Sequence, residues 1–249
     1  MSNRQERRKA REEGASDTNR FNQILILVAV LGIGAVGWSV SSSMLGTAVA
    51  EPIEVEGLDD MATLAEVAQG TTRGDPDAPF TIIEFGDYQC PGCGGFALTV
   101  KPGVDQAFID TGIAKFVFYD FPLPMHPHAF LAARAARCAG DQDKYWEYHD
   151  QLFRNQVNWS GRVDPVSAFL GYGEAISLEQ DTFERCLKSE QHAEVVSANI
   201  VLGQALGVTG TPTILVEKDG DLRPLMTNSL AAIEEAIQLM TPASEPTGN

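Results

Sequence analysis

Two cysteines two residues apart, Cys90-Pro91-Gly92-Cys93, stand at the end of an apolar run and the start of a helical one. That placement suits reversible thiol–disulfide exchange. A cysteine at a helix start faces free N–H groups and the positive end of the helix dipole, which favour its thiolate. A second cysteine one turn later can close an intramolecular disulfide or release a partner from a mixed one. Zinc is the rival reading of any C-x-x-C, but zinc usually takes a second ligand pair at similar short spacing, and none accompanies this one. Glu84, six residues before Cys90, lies in a strongly apolar stretch and is either a buried carboxyl or a plain surface glutamate. His126 and His128 could touch a metal, although loop histidines are more often solvated. His149, among aromatics, reads as a packed core histidine, and Asp87 and Asp120 read as surface carboxylates.

The elements that must position these residues follow from periodicity. Phe80–Gly86 is a nearly continuous apolar run, as in a central strand covered on both faces. The helix starting near Cys90 carries Phe96, Val100, Val104 and Phe108 at i, i+4 spacing, with a kink expected at Pro102. A second buried strand is expected over 113–121. A helical block follows over about 124–205, its helices marked by Leu131 with Cys138, Tyr145 with Leu152, Phe183 with Leu187, and Val196 with Ile200. Thr213–Val216, a turn at Lys218–Asp221 and Leu222–Met226 predict an antiparallel hairpin, followed by a helix over about 230–240. Cys138 and Cys186 fall on the apolar sides of two block helices. They could be bonded, which an exported location favours, or packed as two free thiols.

The 249 residues suffice for one sizeable domain with appendages. Residues 1–20 carry six of the 18 Lys/Arg and read as a basic cytoplasmic tail. The rest is strongly acidic, which repels phosphate backbones and excludes nucleic acid as a partner. No charge occurs from Phe21 to Ala50, and Ile24 to Trp38 is almost wholly apolar, which predicts a transmembrane anchor over 21–45 with the remainder outside the cytoplasm. Ala48-Val49-Ala50 before Glu51 is also a good cleavage site, so a removed signal peptide stays open as the alternative. Residues 46–75 read as an acidic linker, the compact domain is expected over 76–241, and 242–249 as a disordered tail.

Taken together, Gly74–Pro79, Glu84–Cys93, Asp120–Leu123 with His126-Pro127, Lys144–Asp150, and Gly207–Thr213 resemble the DsbA-like thiol–disulfide oxidoreductases over about residues 74–240. The resemblance implies a thioredoxin-like α/β fold with a central mixed sheet and an inserted α-helical domain, here preceded by one transmembrane helix. It implies an exposed nucleophile at Cys90, a buried resolving thiol at Cys93, and a buried proton-moving acid at Glu84. It also implies a cis bond before Pro212 that turns the Thr211 backbone toward the cysteines, with Thr211, Pro212, Pro91 and Gly92 meeting an extended substrate segment. No bound cofactor and no metal are implied. The implied partners are reduced or misoxidised exported proteins and a membrane redox partner, such as a quinone-coupled oxidase, with the enzyme at the inner membrane or soluble in the periplasm.

The pattern departs from the family between the cysteines. The strongest oxidants carry a histidine where this chain has Gly92, Pro91 removes an N–H, and Gly94 and Gly95 are expected to loosen the first turn. Oxidase, reductase and isomerase directions therefore remain open. A non-enzymatic chaperone-like module is the reading from another class.

Overall fold

The computed structural model describes residues 48–241. The segments assigned to a basic tail over 1–20, a membrane anchor over 21–45 and a tail over 242–249 lie outside them. Among the described residues no helix is long and apolar enough to cross a membrane.

Five strands form one mixed sheet in the order β1-β3-β2-β4-β5: β1 Thr71–Arg73, β2 Phe80–Gly86, β3 Ala114–Asp120, β4 Thr213–Lys218 and β5 Asp221–Pro224. β2 lies parallel to β3 and antiparallel to β4, while β1 and β5 are antiparallel edges. Because side chains alternate along a strand, the sheet sorts its residues onto two faces. Ile82, Phe116, Phe118, Ile214 and Val216 enter the main core, and Phe85 and Leu215 join Phe121 and Val208 in a smaller core on the other side. Glu84 pairs with Phe118 and Ile214 in register, so its parity sends it into the main core.

The helix after Cys90, here α2, runs through Pro91–Gly95, Phe96–Val100, Lys101–Val104 and Asp105–Ile109. Its second and fourth segments are π-helical, and the Lys101 N–H donates to the Phe96 carbonyl five residues back. The expected kink at Pro102 is thus met by wider turns on either side of a residue that cannot donate.

Residues 48–75, expected as part of a linker, are instead packed on the domain. A short helix, α1 Met61–Val67, buries Leu64 against Ala198, and β1 pairs with β3. The Ile53 N–H donates to Ser197 Oγ at 3.0 Å, Arg134 to the Val49 carbonyl at 2.6 Å, and the Trp146 indole to the Thr72 carbonyl at 3.1 Å. Acidity and weak periodicity suggested a spacer. What orders the segment is a set of partners that lie far away in sequence.

Between β3 and β4 the chain is helical: α3 Ala129–Gly140, α4 Tyr145–Arg154, α5 Gln156–Trp159, α6 Val166–Ala175, α7 Gln180–Lys188 and α8 Ala193–Ala205. α5 and α6 lie within the block expected to be helical, but no apolar spacing marks them individually. Cys138 on α3 and Cys186 on α7 are joined as a disulfide spanning 48 residues. In the hairpin, Asp219 and Gly220 both take positive φ, as a tight antiparallel turn requires. The closing helix, α9 Leu230–Met240, is capped by Ser229, whose hydroxyl accepts the Ala232 N–H.

Candidate active site

Cys90 is the N-cap of α2, extended at φ −72° and ψ 122°, and Pro91 occupies the first helical position, where no N–H is needed. Its thiol lies 3.4 Å from the Thr211 carbonyl, and the Thr211–Pro212 bond is cis. That loop covers the sulfur. Cys90, expected to be exposed, retains only 8% of its accessible surface, because the chain 121 residues later packs over it. Cys93, one turn on, is fully buried, and the Asp87 N–H points at its sulfur at 3.4 Å. Both cysteines are thiols here. Gly92 faces the same loop, and a Cβ there would stand 3.2 Å from Pro212 Cδ, so a larger residue would crowd it.

The two thiols are driven apart electrostatically. Cys90 is lowered to about 5, first by its hydrogen bond with the Cys93 thiol, then by the Thr211 side chain and by the Cys93 and Gly92 amides, against an opposing effect of burial. Cys93 is pushed far up, mainly by burial, then by its role as donor to Cys90 and by the charge of Glu84. Glu84 is fully buried with neither carboxylate oxygen hydrogen-bonded. Burial raises it to about 8, opposed by Lys101 and reinforced by Cys90. An acid of that strength holds its proton near neutrality and can exchange it within the physiological range.

The loop before the helix is pinned by side chains that the sequence left among bland alternatives or passed over. Asp87, expected at the surface, is buried; Oδ1 accepts the Gln89 and Cys90 N–H groups at 2.7 and 3.2 Å. Its Oδ2 accepts the Leu123 N–H at 2.8 Å and meets His126 Nδ1 at 2.7 Å. His126 is therefore held by Asp87, and His128 Nε2 donates to the Arg162 carbonyl at 2.7 Å. Asp120 is also buried, paired with Arg137 at 2.6 Å. His149 is a core residue as expected, ringed by Tyr88, Phe118, Trp146 and Phe153, and burial keeps it well below the usual histidine range. Gln89 ties the loop to Ser160 and His128, and Gln156 to the Tyr88 and Cys90 carbonyls. No sequence signal marks Gln156. Lys101 had one, a lone cation within an apolar helical stripe; its ammonium lies over Phe116 and Trp146 and bonds Asp105 at 2.8 Å.

A family model described as thioredoxin matches residues 66–232. The chain is 31% identical over 167 residues to the Disulfide bond formation protein D of Bacillus subtilis, covering 65% of this chain and 73% of that protein. It is also 31% identical over 207 residues to a Salinispora arenicola protein named Na(+)/H(+) antiporter NhaA 1, covering 78% of this chain but only 29% of that longer protein. Among solved structures, oxidised BdbD from Bacillus subtilis superposes with a TM-score of 0.61 at 27% identity, over 69% of this chain and 95% of that one.

Proposed function

The chain belongs to the thioredoxin family, among its DsbA-like members, and from that premise we propose that it is an exported thiol–disulfide oxidoreductase that introduces disulfides into other exported proteins. The observation that carries the reading is Cys90, placed at a helix start with its sulfur 3.4 Å from the carbonyl that precedes cis-Pro212. In the proposed cycle a substrate thiolate attacks Cys90 Sγ of the Cys90–Cys93 disulfide. The S–S bond breaks, a mixed disulfide forms at Cys90, and the electron pair leaves on Cys93, which takes a proton from Glu84. A second substrate thiolate then attacks the substrate sulfur of the mixed disulfide and expels Cys90 as a thiolate. Two electrons pass from the substrate dithiol to the enzyme, which keeps one proton on Cys93 and leaves Cys90 as the thiolate; both dithiol protons go to solvent, and Glu84 regains its proton from there.

The direction of flow rests on Cys90. A thiol lowered to about 5 is a good leaving group. That value lies between roughly 3.5 for the most oxidising member of the fold and roughly 7 for thioredoxin, which favours disulfide donation. The substrate segment is proposed to lie extended beside Thr211 and Pro212, over Pro91 and Gly92, pairing with the exposed backbone as an added strand. The Cys138–Cys186 bridge supports an oxidising, extracytoplasmic location, since such bonds persist there. Anchoring through residues 21–45 and re-oxidation by a membrane redox partner complete the proposal.

The test is exchange with a reduced peptide dithiol, together with the potential of the Cys90–Cys93 pair in a glutathione buffer. Cys90→Ser and Cys93→Ser are each expected to abolish oxidation of the dithiol, and Cys93→Ser to hold Cys90 as a mixed disulfide with glutathione, formed by exchange with oxidised glutathione in the buffer. A potential toward the oxidising end, roughly −120 mV, supports donation, whereas one near −270 mV makes the protein a reductase. Binding of unfolded chains that persists in Cys90→Ser, with no exchange by the unsubstituted protein, would mark a chaperone instead.

A further inference from the structure

Among the described residues the inserted helical block hydrogen-bonds the main chain of the reacting cysteine through Gln156. Gln156 opens α5, 66 residues from Cys90 in sequence, and its Nε2 donates to the Tyr88 carbonyl at 2.7 Å and to the Cys90 carbonyl at 2.9 Å. A primary amide nitrogen has two protons, and here each meets one main-chain oxygen. Those oxygens flank the turn that delivers Cys90. The Cys90 carbonyl also takes the Gly94 N–H at 3.1 Å, the first hydrogen bond of α2. Pro91 has no N–H, so the amides that can reach the Cys90 sulfur are those of Gly92 and Cys93, and their directions follow from the peptide planes at the helix start. Fixing the Cys90 carbonyl fixes those planes. Donation to the two carbonyls also draws negative charge away from the neighbourhood of a sulfur that becomes an anion.

The carboxamide has a place built for it. A Cβ at Gly94 would stand 2.8 Å from Gln156 Oε1, 3.2 Å from its Cδ and 3.3 Å from its Nε2, so the amide lies flat on the bare backbone of α2. The first helical turn carries a glycine because Gln156 occupies the space that a side chain would take. On its own side α5 is anchored by Trp159, which is fully buried and donates its indole N–H to the Leu152 carbonyl at 2.9 Å.

We propose that Gln156 is a positioning residue for exchange at Cys90: through its two carbonyl contacts the helical insertion holds the helix start in the geometry that stabilises the Cys90 thiolate. The proposal rests on the oxidoreductase reading for its biological meaning, while its physical content concerns the state of one thiol.

Two variants test it. Gln156→Met keeps length and removes both donors, and Gly94→Ala leaves Gln156 in the chain but drives its amide off the helix. The readouts are the ultraviolet thiolate absorbance of Cys90 against pH and the dithiol–disulfide equilibrium constant against glutathione, with thermal unfolding as the control for folding. Both variants are expected to titrate at higher pH. Their equilibrium is expected to move about tenfold toward the oxidised enzyme, which for a two-electron couple is about 30 mV more reducing. Folded variants whose titration and equilibrium constant match the unsubstituted protein overturn the proposal, and Gly94→Ala decides alone if Gln156→Met does not fold. Failure of the function reading looks different: an unsubstituted protein that oxidises no peptide dithiol, while its Cys90 titration still shifts in both variants.

Discussion

Replacing Glu84 by Gln probes the most exposed consequence of the site, a carboxyl placed in the core without a hydrogen bond. Burial raises its pKa from 4.5 to about 8. Between those values the folded protein holds a proton that the unfolded chain has released, so stability falls as pH rises through that window. The contribution is intact below the unfolded value and is lost progressively up to the folded one. At about 1.4 kcal/mol for each pH unit of displacement, the ceiling is about 5 kcal/mol, and local relaxation and water entry reduce it to a few kcal/mol. Gln has the same shape and no charge to desolvate. Guanidinium unfolding of the reduced protein should therefore find the Gln variant close to the unsubstituted one near pH 5 and more stable by about 2–4 kcal/mol near pH 9. Because the Cys90 charge helps to raise Glu84, the oxidised protein, which has no thiolate, should show a smaller gap. Two stability curves that run parallel from pH 5 to 9 would refute the reasoning, since Glu84 would then titrate alike in the folded and unfolded states.

Two further changes test the frame around the site. Replacing Cys138 and Cys186 together by Ala removes a bond that spans 48 residues. It should lower unfolding stability by about 2–4 kcal/mol, with peptide oxidation retained at temperatures where the variant is folded; loss of exchange in the folded variant would show that the bridge acts on the site itself. Leu64→Ala removes a fully buried side chain from the segment expected as a spacer. A cost of about 2–5 kcal/mol by denaturant titration is expected, against almost none if residues 48–75 do not pack on the domain.

The reading of particular residues shows where sequence information ended. Cys90, Cys93 and the strand before them were legible because their signals are local: a spacing, an apolar run, a helix start. Cys90 was nevertheless expected at the surface, since nothing near it in sequence announces the Thr211–Pro212 loop that folds over its sulfur. Asp87 and Asp120 looked like ordinary carboxylates at strand ends, and the structure buries both because His126, Leu123 and Arg137 come to meet them. The acidic stretch before β1 looked like a spacer for the same reason, with its partners Ser197, Arg134 and Ala198 all distant in the chain.

By itself, then, the sequence determined which side chains are the candidates for the chemistry, and the strands and most helices that deliver them. Periodicity and helix-start chemistry act over a few residues, and a sequence displays them openly. The tertiary structure alone decided how strongly those side chains are perturbed. Desolvation of Glu84, the difference between the Cys90 and Cys93 thiols, and the hold of Gln156 on the Cys90 carbonyl all arise from groups brought together across tens of residues, and electrostatic strength in a protein depends on what surrounds a charge within a few ångströms.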